Sequence, residues 1–265
     1  MSSIETQPRS VSQTQQYEEC SWRFYLQRVE RVVPRPAAWS HHGTAFHAVA
    51  EAFELSGRTM SEEEAVQLFS DRYSALVNKS LEVEPDTDRW LSAGRVGGGE
   101  DIERRYALGL EQVKHYVTDW ADGHPTNTWS TPDGKPGLEL YFMVELGGVR
   151  VRGYIDQLVD DGDGSVRPRD WKTGSMKSKF QLQTYGVAVR KRYGVEVNKA
   201  DWYLAKDGRL SRPVRMDGVR EEDVAERFAA MDAGVKRGDF PASPAFHCRF
   251  CDVSHACSFI QRVAT

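Results

Sequence analysis

Residues 149–174 read VRVRGYIDQLVDDGDGSVRPRDWKTG. Apolar and β-branched residues run through Val159, the polar stretch 160–164 reads as a turn, and 165–171 predicts a second strand. If the two strands pair as a hairpin, Asp156, late in the first, and Asp170, at the end of the second, come close at one end of a sheet. Residues two apart on a strand share a face, so Lys172 points the same way as Asp170. Two carboxylates and an ammonium then converge on one spot.

Around this stretch the pattern extends in both directions. Residues 138–146 form a further strand candidate, joined to 149–159 by Gly147-Gly148, a hairpin signal. Residues 179–193 have helical spacing, 200–205 and 209–216 make another hairpin around Asp207-Gly208, and 221–236 is an amphipathic helix. Upstream the chain reads helical. One helix is expected over 12–29, with Ser12 as cap and Pro34 and Pro36 beyond its end. A second is expected over 44–55. A third, from a Ser61/Glu64 capping box, runs to Val77, and a fourth covers 101–120. Residues 78–99 read as a loop. The fold class is α/β (α+β): a mixed sheet flanked by helices, with a helical N-terminal region. The expected organisation is a single domain over 1–265. It comprises a mainly helical part (1–136), a core (137–238) and a cysteine-rich C-terminal segment (239–265).

The chain has 265 residues, 40% of them hydrophobic, enough to bury a substantial core. Its formal net charge of -4 gives no support to nucleic-acid binding, though local field matters more than the sum. A basic stripe does exist: Arg167, Arg169, Lys172, Lys177, Lys179, Arg190, Lys191 and Arg192 crowd one stretch with Asp170 as its only acid. Beside the carboxylate pair it reads as a candidate binding surface. No apolar run is long enough to span a bilayer and the first residues lack the apolar core of a signal peptide, so a cytoplasmic location and no membrane partner are expected.

The carboxylates and the amine suit hydrolysis of a phosphodiester. Two like charges held close are relieved by a hard divalent cation such as Mg²⁺. Water on such an ion is acidified, and the ion neutralises charge growing on phosphate oxygens. Lys172 would orient or deprotonate that water, or stabilise the transition state by its charge. The Trp171 carbonyl could add an oxygen ligand. His47, in Gly43-Thr44-Ala45-Phe46-His47, is a candidate third ligand, and an imidazole among carboxylates favours Mn²⁺ over Mg²⁺. Gln181 and Tyr185, four apart on a predicted helix, share a face and are candidates to position Lys172 or contact a substrate backbone.

The four cysteines form a second constellation. Cys248, Cys251 and Cys257 are spaced C-x₂-C-x₅-C, and Cys20 lies far off near the N-terminus. In a reducing compartment such thiols read as metal ligands rather than disulfides. Four thiolates can hold zinc or a 4Fe–4S cluster, and His247 and His255 could substitute in a zinc site. Either would close a loop spanning nearly the whole chain, where the entropic benefit of closure is greatest.

Taken together, Gly43–His47, Gly153–Asp156, Asp170–Lys172 with Thr173-Gly174, Gln181-Leu182-x-x-Tyr185, and Cys20 with Cys248, Cys251 and Cys257 resemble the RecB-like branch of the PD-(D/E)xK nucleases. The likeness is to its iron–sulfur exonucleases, related to the CRISPR adaptation nuclease and the AddB nuclease domain. The resemblance implies a restriction-endonuclease-like sheet wrapped by an N-terminal helical region that forms a channel for a single strand. It also implies metal ligation by His47, Asp156 and Asp170, catalysis by Lys172, site roles for Gln181 and Tyr185, and a 4Fe–4S cluster on the four cysteines. Trp171 stands where the family often has Tyr, and Glu19 and Ser21 flank Cys20 where the family often pairs its cysteine with proline. The expected activity is Mg²⁺- or Mn²⁺-dependent exonuclease cleavage of DNA, at single-stranded ends, in recombination, repair, replication or spacer acquisition. A recombination or replication protein is the expected partner, in a bacterial cell or, for a phage protein, the host cytoplasm. No G-x-x-x-x-G-K-[ST] motif is present, so no helicase activity is expected. A structure-specific endonuclease and a non-catalytic iron–sulfur or zinc protein that binds DNA are the alternatives.

Overall fold

The computed structural model describes residues 3–124, 127–174, 176 and 178–260. Lys177 of the basic stripe lies outside the described residues. Three N-terminal helices, α1 (Ser3–Thr6), α2 (Val11–Glu19) and α3 (Ser21–Arg28), precede three longer ones, α4 (Ala38–Leu55), α5 (Glu62–Val83) and α6 (Gly98–His115). A π-helical turn (Tyr116–Trp120) carries α6 into the short α7 (Ala121–Gly123). Strands β1 (Leu138–Leu146), β2 (Val149–Asp160) and β3 (Val166–Lys172) follow, then α8 (Phe180–Tyr193), β4 (Lys199–Leu204), β5 (Arg209–Leu210), β6 (Val214–Arg215) and α9 (Glu221–Arg237). The six strands form one mixed sheet in the order β1-β2-β3-β4-β5, with β6 paired to β4. The α/β class expected from the sequence is the class observed.

Most local signals act where they stand. Ser61 accepts from the Glu64 N–H while the Glu64 side chain returns to the Ser61 N–H, so α5 begins on a reciprocal cap. Gly147 and Gly148 turn the β1/β2 hairpin with φ of 55° and 76°, values that side-chain-bearing residues rarely adopt. The first expected helix is instead two. Ser10, not Ser12, caps α2, and Cys20 is extended (φ -161°, ψ 102°). Its N–H still donates to Gln16 O, and its carbonyl accepts from the Phe24 N–H, so one residue ends α2 and starts α3. Helix α4 begins six residues before the expected start, at Ala38, directly after the Pro34–Pro36 stretch. Helix α5 continues past the expected end at Val77 to Val83, into the first residues of the expected loop.

The chain divides into two compact units. One comprises Met1–Arg35, Phe142–Gly153 and Val219–Thr265. In it the buried Arg9 guanidinium donates to Asp232 (2.8 Å) and to Ile4 O (2.8 Å), while its backbone pairs with Arg150 and Arg152 of β2. Gly153 serves close packing here: a Cβ there would lie 2.7 Å from the Phe142 ring.

The other unit comprises Pro36–Tyr141 and Tyr154–Gly218. Phe46 and Phe53 of α4, Phe69 and Tyr73 of α5, Tyr116 and Trp120 after α6, and Trp171 and Tyr203 from β3 and β4 form its core. Strands β3 and β4 pair in parallel, Trp171 beside Tyr203, and both rings point into this aromatic cluster. Alternation then sends Asp170 and Lys172 to the opposite face of the sheet, where Lys172 meets α8.

His42 is buried in this unit, with Nε2 2.9 Å from Gln112 Oε1. Burial, reinforced by the Arg105 charge, lowers its pKa to about 4 against the pull of Gln112 and Asp101. The unfolded chain therefore binds a proton that the folded one refuses between pH 6.5 and 4. Stability is expected to fall across that window as pH drops, by about 3 kcal/mol from this residue alone. Urea melts at pH 7.5 and 5 should show the loss, and His42→Asn should flatten the slope; an equal slope in both proteins would contradict the assignment.

Candidate active site

The β2/β3 ladder ends at Gln157 opposite Arg169. One step further the same register sets Asp156 against Asp170. No backbone pair forms there; the Trp171 N–H donates to Asp156 Oδ2 at 2.7 Å, so a carboxylate takes the place of a ladder carbonyl. Asp156 and Asp170 are both buried, at 5% and 0% exposure. The hairpin geometry read from the sequence thus does bring the two acids together at one end of the sheet.

His47 of α4 arrives from the side. Its Nε2 lies 2.8 Å from Trp171 O, which fixes the ring, and Nδ1 lies 3.5 Å from Glu139 Oε1 and 3.6 Å from Asp156 Oδ2. Gly43, one turn earlier on α4, leaves room for Thr173, whose hydroxyl would stand 3.4 Å from a Cβ there. The motif around Gly43 and the motif around Lys172 therefore pack against each other. Burial alone would lower the His47 pKa, but Asp156, Glu139 and Asp170 together outweigh it and raise it to about 9. The Asp156 carboxyl is pushed up by burial, with His47 opposing and Asp170 adding to the shift.

Glu139 was not among the residues expected here. It stands at the start of β1 with φ 40°, one of three described non-glycine residues in that region and the only one within a strand. Such a backbone is sparsely populated for a side-chain-bearing residue. The sequence signal was faint: one acid, Glu139, in the otherwise apolar start of the strand. His47, Glu139 and Asp156 can each bring one ligand atom within 4.8 Å of the others, the only such metal-compatible group among the described residues. Asp170 stands beside this trio and acts on it by charge. Its Oδ2 meets Lys172 Nζ at 2.6 Å, while Oδ1 is buried with no hydrogen-bond partner among the described residues. A buried carboxylate oxygen left bare beside two further acids is what a cation site requires. The donor set, oxygens with one imidazole, suits Mg²⁺ or Mn²⁺.

Lys172 Nζ also donates to Gln181 Oε1 at 3.0 Å, and Gln181 Nε2 donates to the Tyr185 hydroxyl at 2.7 Å. Burial raises the Tyr185 pKa well above its usual range, so the phenol stays neutral and can accept from Gln181. A cleft of about 590 Å³ opens over the group, lined by Gly43, Thr44, His47, Ala48, Glu51, Glu139 and Tyr154.

Two arginines of the basic stripe, Arg167 and Arg169, are held inside the fold by acids. Arg169 is 1% exposed and grips Asp201 through two bonds of 2.7 and 3.0 Å. Arg167 bonds Asp201 and Asp161. Arg190, Lys191 and Arg192 occupy the last turn of α8, where cations complement the helix dipole. Arg167 and Arg169 lie on the strand face opposite Asp170 and Lys172, in an ion-pair network with Asp201 and Asp161.

The residues 8–258 match the pattern of the PD-(D/E)XK nuclease superfamily. The chain belongs to the PD-(D/E)XK nuclease superfamily. Two mycobacteriophage proteins, each named "Gene 69 protein", are similar along nearly their whole length. The one from phage D29 is 40% identical, covering 97% of this chain and 98% of its own. The one from phage L5 is 38% identical, covering 94% and 95%. Among solved structures, a Eubacterium rectale protein named "Putative exonuclease" superposes with a TM-score of 0.51 over 94% of this chain and 88% of its own, at 11% identity. That likeness is one of fold. The mixed sheet flanked by helices is the restriction-endonuclease-like arrangement of this superfamily, whose members typically use divalent metals. No helix among the described residues is long and apolar enough to cross a membrane.

The cysteines all lie in the first unit. Cys20 precedes α3, whose Leu26 packs with Cys251 and Val253, and Trp22, Tyr25, Val32 and Cys257 close around them. Arg23 and Gln27 of α3 bond Asp252, and Arg35 bonds Cys251 O and Ser254. Burial raises the Cys251 thiol pKa, and the nearby Cys20 thiol adds to the shift. The C-terminal cysteine segment is thus fastened to the helix that Cys20 begins. No three of the described thiols and histidine nitrogens in this segment lie within 4.8 Å of one another.

Proposed function

We propose that this nuclease is a metal-dependent exonuclease that hydrolyses single-stranded DNA from an end. One observation carries the chemistry: the bare, buried Asp170 carboxylate beside the His47–Glu139–Asp156 trio, with Lys172 on the same spot. His47, Glu139, Asp156 and Asp170 would hold Mg²⁺ or Mn²⁺, with the Trp171 carbonyl fixing the His47 ring. The ion supplies an acidified water and neutralises charge on the phosphate. Lys172 has three N–H donors; Gln181 takes one, Asp170 pairs with the ammonium by charge, and a remaining donor orients a water or a phosphate oxygen. Gln181 and Tyr185 hold that amine in place. The name of the Eubacterium rectale structure supports action on ends. Both relatives are phage proteins, which supports action inside a phage's host cell; a role in DNA recombination, repair or replication, with a protein partner from that process, is the reading that a DNA-end nuclease fits. The whole chain is read as one nuclease domain.

We also propose that Cys20, Cys248, Cys251 and Cys257 hold a 4Fe–4S cluster. Support comes from the packing of the cysteine segment on α3. The cluster's role is to staple residues 20 and 257, with no part in hydrolysis.

Wild-type protein with Mn²⁺ is expected to degrade end-labelled linear single strands and leave circular single strands intact. Asp170→Asn and Lys172→Ala are each expected to lower cleavage by about a thousandfold or more without unfolding the chain. Cut circles would make the enzyme an endonuclease, and full activity in either variant would remove that residue from the mechanism. Protein purified without oxygen should be brown with about four irons per chain, and Cys20→Ser should lose the colour and melt earlier. Colourless protein with one zinc per chain would refute the cluster.

A further inference from the structure

The cleft over the acids is lined by Glu51, Glu139 and His47, and by no lysine or arginine among its described lining residues. Such a wall repels phosphates until a metal is bound, so these lining residues supply no counterion-release affinity. A contact other than charge is therefore called for along this wall. On the same hairpin, two residues beyond Glu139 and two before Asp156, stand Tyr141 and Tyr154. They are 38% and 56% exposed, with ring centroids 5.3 Å apart and planes inclined by 56°. Large aromatic rings exposed side by side are uncommon on a surface without a use. Tyr154 lines the cleft itself. Strand geometry places the pair about 7 Å from the acids, the scale of one nucleotide.

We propose that Tyr141 and Tyr154 form a stacking platform for an unpaired base next to the scissile phosphate, and that this platform selects single-stranded over duplex DNA. The inference rests on the nuclease reading and names how its substrate is recognised. Stacking on an aromatic ring tolerates every base, because each has a π-face, so cleavage is indifferent to sequence. A base inside a duplex has both faces covered by its neighbours and its edge paired, and it cannot reach the rings without being unstacked. The two rings are exposed and outside the aromatic core, so their replacement leaves the fold in place.

Two measurements test the platform separately from the chemistry. In the first, anisotropy of a fluorescent oligothymidylate is followed in Ca²⁺, which supports binding without requiring cleavage. Tyr141→Ala and Tyr154→Ala are each expected to weaken binding by roughly five- to a hundredfold, and Tyr→Trp at either position should restore it. Unchanged affinity in the double alanine variant overturns the proposal. In the second, single strands carrying one abasic position are digested in Mn²⁺. Wild-type enzyme should pause at that position through a raised KM with kcat nearly unchanged, whereas the double alanine variant should be slow everywhere and show no added pause. An equal pause in both proteins overturns the platform. Tyrosine-dependent binding without any cleavage by the wild type would sink the nuclease reading and leave the platform standing.

Discussion

The site depends on a crowd of acids held where a strand ladder runs out. Asp156 and Asp170 would face each other across β2 and β3, yet one is bound to a backbone N–H and the other has a bare oxygen in the protein interior. Like charges at such range, with little water, cannot all ionise unless something positive joins them. In the protein alone that role falls to His47, held protonated by its neighbours, and to Lys172. A divalent ion is the stronger answer, and its arrival would free His47 Nδ1 to become a ligand. The rest of the unit makes this tolerable. Trp171 and Tyr203 anchor β3 and β4 in an aromatic core, so the peptide that carries Asp170 and Lys172 cannot relax away from the crowding.

Positive charge is allocated in an unexpected way. The arginines nearest the site in sequence are spent on Asp201 and Asp161, inside the sheet's own ion-pair network. Breaking one partner of such a buried pair costs several kcal/mol, so these residues are bound to the fold and not available to a ligand. The cleft is left acidic. That division fits an enzyme whose metal, rather than whose surface, draws the phosphate in.

Much of this was legible in residues alone. Apolar and β-branched runs on either side of Gly147-Gly148 marked the hairpin, and the spacing of Asp156, Asp170 and Lys172 marked their convergence. Gln181 and Tyr185 do share a helix face, and Gln181 reaches Lys172. Three things were hidden. Glu139 depends on a left-handed backbone at the start of β1, which no propensity encodes. The fate of Arg167 and Arg169 depends on β4 lying parallel to β3, a long-range pairing that delivers Asp201. The break at Cys20 lies inside a stretch with good helical residues on both sides. There the C-terminal segment packs against α3, and tertiary contact overrides local preference.

The central claim is that the buried acids are built around a divalent ion, and thermal unfolding with and without Mn²⁺ tests it without recourse to activity. A ligand that binds only the folded state raises its melting temperature in step with concentration. The account predicts a saturable rise for the wild type that Glu139→Gln reduces and Asp156→Asn removes. No rise at millimolar Mn²⁺, or the same rise in all three proteins, would contradict it.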